Sequence, residues 1–282
     1  MFSRLFPFSL SPLLLSSLLP FLFFSCYEDN IACLDVDAAN YDILADQACP
    51  DCCEFPTFSM DVDRIWADSA FRTTDVYPDG AGNQIRVLDF RVYLTELELV
   101  AQGQTLPTPV NEIELSVLSG SDTVLTDFNA NLLLLQTTTR SSNSAVGRLS
   151  VGTAALTQVQ GRVGMAEDFP AIIPSTAPAA SPLSTQPGLL NFNDGRGYLT
   201  ASAEYLLLAT NDTVRIDLYD SEPFALNFPF QLQPLRGVNL TLELSADYRE
   251  VFGSTDLSAD ENMVANGIFA GLERWLVVTG AR

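Results

Sequence analysis

Ile85-Arg-Val-Leu-Asp-Phe-Arg-Val-Tyr-Leu94, followed after Thr95 by Glu96-Leu-Glu-Leu99, alternates apolar and polar side chains. A period of two puts neighbouring residues on opposite faces of a pleated strand, whereas an amphipathic helix repeats its apolar face every three to four residues. The alternation recurs at 58–65. Further runs of strand length follow at 113–118, 132–137, 156–163, 198–208, 214–219, 224–232, 238–244 and 275–279, with Gly, Pro and Asn between them. The pattern predicts an all-β fold, an antiparallel β-sandwich with long irregular loops and at most one short helix, preceded by a small disulfide-framed segment. That helix is expected over 258–267, where Ser258 offers a cap and Glu261 stands three residues on. Prolines at 170, 174, 178, 182 and 187 exclude regular structure from 169–188, and a loop of that length is usually functional or mobile.

Composition narrows the chemistry. The 282 residues carry 35 Asp and Glu against 14 basic residues, a net charge of −21, with no His; all 14 bases are Arg. A surface of that sign repels a polyanion, so nucleic acid is not an expected partner. Imidazole-based nucleophilic catalysis, imidazole ligation of Zn or Cu, Schiff-base chemistry and the P-loop lysine each lose a required group. A carboxylate-only hydrolase survives on composition, but no pair stands out among so many scattered acids. The expectation is a protein that is not an enzyme.

The chain divides into 1–25, 26–56 and 57–282. Residues 5–24 follow the single basic residue Arg4 and are apolar, but Pro7, Pro12 and Pro20 interrupt them, which suits a signal peptide better than a permanent membrane helix. Phe23-Phe24-Ser25-Cys26 resembles a bacterial lipobox, which implies that Cys26 becomes the lipidated first residue and that the membrane is a partner through that lipid. Tyr27-Glu28-Asp29 resembles the acidic signal that sends such lipoproteins to the outer face of the outer membrane. The address expected is therefore an outer-membrane lipoprotein, on the periplasmic or the cell-surface face.

Removing Cys26 leaves an even set, Cys33, Cys49, Cys52 and Cys53, which in an exported chain reads as disulfides. A bond between the adjacent Cys52 and Cys53 is strained, so each pairs with Cys33 or Cys49, in either of two arrangements. Four thiolates on one zinc ion are the alternative, weakened by the adjacent pair and the oxidising compartment. Residues 32–49, with Asn40-Tyr41-Asp42 between two Cys, resemble a short cysteine-framed module of Bacteroidetes surface proteins. Asp35, Asp37, Asp42 and Asp46 carry hard oxygen donors suited to Ca²⁺, although no Gly turn or terminal Glu completes an EF-hand loop; the other reading is a solvated acidic loop. Asp68-Ser-Ala, Asp122-Thr-Val and Asp212-Thr-Val resemble an O-glycosylation site of exported Bacteroidetes proteins.

Several segments in order resemble the methanobactin-periplasmic-protein-like (MbnP-like) family of exported β-domains. They are 87–99, Gly161-Arg-Val-Gly-Met165, Ser181-Pro-Leu-Ser-Thr-Gln186, Gly195-Arg-Gly-Tyr-Leu199 and 240–248. The resemblance implies a metal- or ligand-binding module, with copper as the metal. Where that family carries aromatic and His residues before its Gly-Tyr, this sequence reads Leu189-Leu-Asn-Phe-Asn-Asp-Gly195. Copper needs imidazole, thiolate or thioether, and outside the paired Cys the domain offers only Met60, Met165 and Met263, so ligand chemistry argues that this chain has lost or changed that role. The ligand is expected near the proline-rich loop and Asn191, Asn193, Asp194 and Tyr198. The alternative is a structural or adhesive lipoprotein contacting a protein or glycan. Clustered donors distinguish the first reading, an exposed apolar patch the second.

Overall fold

The computed structural model describes residues 28–106, 111–137, 144–149, 154–186 and 199–282. Residues 1–25, expected to be a signal peptide, and Cys26 lie outside the described residues. The chain forms two units, one of 41–53 with the stretch that ends at Asp35, the other of 36–40 with 54–282.

The longer strands of the second unit are β1 (Thr57–Trp66), β2 (Gln84–Ala101), β3 (Glu112–Ser119), β4 (Asp122–Asn129), β5 (Leu133–Gln136), β6 (Ser144–Arg148) and β7 (Leu156–Val163). They continue as β8 (Ala201–Leu207), β9 (Asp212–Leu218), β10 (Glu222–Leu232), β11 (Leu240–Asp247) and β12 (Leu276–Ala281). The larger sheet runs β9-β8-β2-β7-β10, with β5 also paired to β2; the smaller runs β6-β1-β11-β12. β3 and β4 form a separate hairpin. The all-β expectation holds, but β1 and β11 are parallel, Leu240 opposite Phe58 through Asp247 opposite Ile65. A parallel pair needs a long crossover, which here spans most of the domain.

β2 organises the molecule. Its residues in the main core fall in three runs, Ile85 and Val87, then Phe90, Val92 and Leu94, then Leu97, Leu99 and Ala101. Each step between runs is three residues instead of two, so the strand slips phase twice. Register shifts against β8 opposite Leu88 and against β7 near Glu96 mark two bulges, which keep one face of an 18-residue strand apolar as it bends. The strand expected in two pieces, 85–94 and 96–99, is one strand with a bulge between them. Against this face pack Phe58, Met60 and Val62 of β1, Leu242 and Leu244 of β11, and Trp275. Phe90 meets Trp275, Tyr248 and Phe252 edge-on, with centroids 5.8, 5.6 and 5.3 Å away.

Two helices close this core, one more than expected: α1 (Tyr248–Phe252) and α2 (Glu261–Leu272). Asp247 caps α1 by accepting from the Arg249 N–H at 2.9 Å, and Asp260 caps α2 by accepting from the Met263 N–H at 3.1 Å. The cap of α2 is Asp260 because Ser258 is engaged with Asp256, to which its hydroxyl donates at 2.7 Å.

The N-terminal unit has little apolar core. Ile31–Ala32 pairs in parallel with Gln47–Ala48, Cys33 is buried, and Ile31, Ile43 and Leu44 are exposed. Disulfides Cys33–Cys53 and Cys49–Cys52 supply the restraint, resolving the two open pairings into the nested one; the Cα atoms stand 4.9 and 5.4 Å apart.

Candidate functional site

The outer face of β2 differs from its inner face. Tyr93 lies between inward Val92 and Leu94, so it points away from the main core, yet it is fully buried. It belongs to a second cluster with Leu115 of the β3–β4 hairpin, Ala130 and Leu132 between β4 and β5, Ile172 and Leu183 of the proline-rich loop, and Met165 and Leu199 beside the ends of β7 and β8. The described part of that loop is a series of tight turns, among them Phe169 N–H to Ala166 O, Ala177 N–H to Pro174 O and Ser181 N–H to Pro178 O. Proline sets φ for such turns without losing a needed donor. The Tyr93 hydroxyl donates to the Pro182 carbonyl at 2.9 Å, and Ile173 N–H donates to Ser116 O on β3 at 2.8 Å. The loop is irregular as expected and is fastened at both these points.

Tyr93 also marks a junction. β8 pairs with β2 up to Val92 and β7 pairs with it from Leu94 onward. Between them, the Tyr93 N–H donates to Thr200 O at 3.0 Å and the Tyr93 carbonyl accepts from the Gly164 N–H at 2.8 Å. β7 and β8 therefore meet end to end on one edge of β2. Gly164 has φ +90°, and a Cβ there would stand 2.2 Å from the Thr200 hydroxyl, so only glycine fits. The buried hydroxyls of Thr95 and Thr200 donate to the carbonyls of Gly164 and Asp220, tying two departing loops to the junction.

Those loops open into a cleft of about 920 Å³. It is lined by Met165, Ala166, Glu167, Asp168, Phe169 and Ala171 of one loop, and by Tyr219, Asp220, Ser221 and Glu222 of the crossover from β9 to β10. Glu96, Arg162 and Phe269 complete it. The bulge holds Glu96 at φ +52°, turning it toward Arg162, whose Nε lies 3.2 Å from its carboxylate. Arg162 also donates to Ser221 Oγ at 3.3 Å. Five carboxylates and one guanidinium thus line the cleft, with Phe169, Tyr219 and Phe269 beside them, a lining suited to a cation with an apolar body. A second, more open cleft of about 650 Å³ shares Glu96; its Gln160 donates to Glu98 at 2.9 Å.

The residues expected to matter fare unequally. Asn191, Asn193, Asp194 and Tyr198 lie outside the described residues. Asp42 and Asp46 come together around Asn30: the Asn30 side-chain amide donates to Asp42 at 3.1 Å and its N–H to Asp46 at 2.9 Å. Asp42 also accepts from the Leu44 N–H, and the Asp35 backbone carbonyl lies 3.9 Å from Cys33 Sγ, a disulfide sulfur with no hydrogen to donate. Asp37 stands 3.5 Å from Arg236. Met60 is in the main core, Met165 in the second cluster and Met263 exposed on α2. Among the described residues no three His, Cys, Asp or Glu side chains are grouped to hold a metal ion. Ser69, Thr123 and Thr213 of the three Asp-Ser/Thr motifs are exposed just after turns.

The cleft itself was not anticipated, because its lining comes from five separate segments. The available signals were the Glu167-Asp168 pair and the phase slip between Leu94 and Leu97.

No protein-family model matches the chain. No curated protein sequence matches it either. Among solved structures it is similar to MbnP from Methylosinus trichosporium, with a TM-score of 0.40 and 15% identity, over 72% of this chain and 79% of that one.

Proposed function

We propose that the chain is an exported envelope lipoprotein, anchored through Cys26, whose β-domain is a non-enzymatic binding module holding a cationic organic ligand in the cleft beside Tyr93. The observation that carries this reading is the cleft's lining: carboxylates of Glu96, Glu167, Asp168, Asp220 and Glu222 against Arg162 alone, with three aromatic rings. An amine gains Coulomb attraction to the acids and contact with the ring faces, whereas an anion is repelled. The dispersed methionines leave copper without a thioether set. Titration calorimetry of the purified protein with spermidine, Ca²⁺, Cu(I) and Cu(II) tests it. The reading expects saturable spermidine binding that weakens with salt; stoichiometric Cu(I) or Ca²⁺ binding with no response to spermidine would replace it with the metal reading. The lipid is tested by the mass of the peptide that begins at Cys26.

A second reading, attachment to a partner protein or glycan at the cell surface, is favoured by Leu118, Val124 and Leu125, all exposed on the β3–β4 hairpin. It expects a Leu118→Ser, Leu125→Ser variant to keep its fold and lose retention on the partner surface.

A further inference from the structure

We infer that Cys49–Cys52 is a thiol-exchange site, a disulfide that reacts with dithiols of neutral or cationic character while Cys33–Cys53 holds the N-terminal unit together. The two bridges occupy different environments. Cys33 is buried at 1% exposure, and its bond to Cys53 closes a separation of 20 residues around the Ile31–Ala32 and Gln47–Ala48 ladder. Cys49 and Cys52 stand three positions apart, in the sequence Cys49-Pro50-Asp51-Cys52, with Pro50–Cys52 a single 3₁₀ turn. Cys52 is exposed and Cys49 half-exposed. Disulfide exchange needs a thiolate to approach a sulfur, so access favours Cys52 as the atom attacked. Opening the short bridge releases little chain entropy, whereas opening the long one frees a loop and exposes a buried sulfur. The short bridge therefore opens and recloses without loss of the unit.

The step balances as follows. A thiolate of the incoming dithiol attacks Cys52 Sγ, the Cys49–Cys52 bond breaks, and Cys49 leaves as a thiolate that takes a proton from water. The second thiol of the dithiol then loses its proton and attacks its own mixed-disulfide sulfur. Cys52 leaves and is protonated, and the dithiol departs oxidised by two electrons. Charge selects the reagent. Within 28–35 and 41–53 stand Glu28, Asp29, Asp35, Asp42, Asp46 and Asp51, and no basic residue. Their field opposes a net-negative thiolate and tolerates one carrying an ammonium group.

The test uses the full-length protein in detergent, with limiting dithiothreitol, an alkylating quench and peptide mass analysis. Alkylation at Cys49 and Cys52 before any at Cys33 or Cys53 is the expected result. In a second arm at low ionic strength, cysteamine forms the mixed disulfide about tenfold faster than glutathione, and the gap narrows in salt. Simultaneous opening of all four cysteines, or first opening of Cys33–Cys53, overturns the inference, as does an inert Cys49–Cys52; equal rates with the two thiols overturn its charge selection. A Cys49→Ser, Cys52→Ser variant loses the fast phase, and a Cys33→Ala, Cys53→Ala variant retains it; a fast phase that persists in the first variant contradicts the assignment.

Discussion

Val92 and Tyr93 are neighbours on one strand, and they serve different parts of the molecule. Val92 faces a core that draws on both sheets and both helices; Tyr93 belongs to a small cluster drawn from a hairpin, a proline-rich loop and the segments that flank the strands. The inner face is apolar throughout and decides whether the chain folds. The outer face combines a few buried side chains with polar anchors, and its departing loops leave a cleft. A period-two strand thus serves two packing environments one residue apart, and the proposed binding role falls to the outer one.

The sharpest way to break the contrast is on the inner side. Phe90→Ala removes the ring that three other aromatics meet edge-on, and about 3–5 kcal/mol of stability should be lost in equilibrium urea unfolding. Gly164→Ala strikes the junction: a Cβ against Thr200 at positive φ should cost about 2–3 kcal/mol and disturb the loops of the cleft before the sandwich. A cleft that binds normally in that variant would separate the junction from the site. Tyr93→Phe is gentler, removing the hydroxyl's bond to Pro182, with a loss of about 1 kcal/mol and faster hydrogen exchange confined to the loop near 182.

A pH response, silent at neutral pH, tests the inner side once more. Burial first, then Asp79 and Asp256, pushes the Tyr205 phenol up to about 12 from an ordinary value of 10.0. Its folded form holds the proton more tightly than its unfolded form. The resulting stability is present below pH 10 and is lost as pH rises toward 12, which ultraviolet titration of the phenols alongside unfolding curves will reveal.

Much of the inner face was legible in residues 85–99, because alternation reports which side chains share a face. The double slip of phase was legible too, as the spacing from Val87 to Phe90 and from Leu94 to Leu97, and it is what makes two expected strands into one. The parallel pairing of β1 with β11 was not, since it joins segments far apart in sequence and alternation carries no direction. Ser258 looked like a cap by type and spacing, but Asp256 engages it. The loop's order was hidden because prolines exclude ladders yet set turns, and turns are fastened by tertiary partners such as Tyr93. The cleft was hidden for a related reason: Glu96, Arg162, Asp168, Asp220 and Phe269 converge only once the sheet is assembled.

Hydrogen–deuterium exchange of the purified protein with and without saturating spermidine tests the proposed binding role of the outer face most directly. The account predicts protection in 165–171 and 219–222, with β1 and β11 unchanged and the effect absent from a Glu167→Gln, Asp168→Asn variant. Protection elsewhere, or the same protection in the variant, would contradict it.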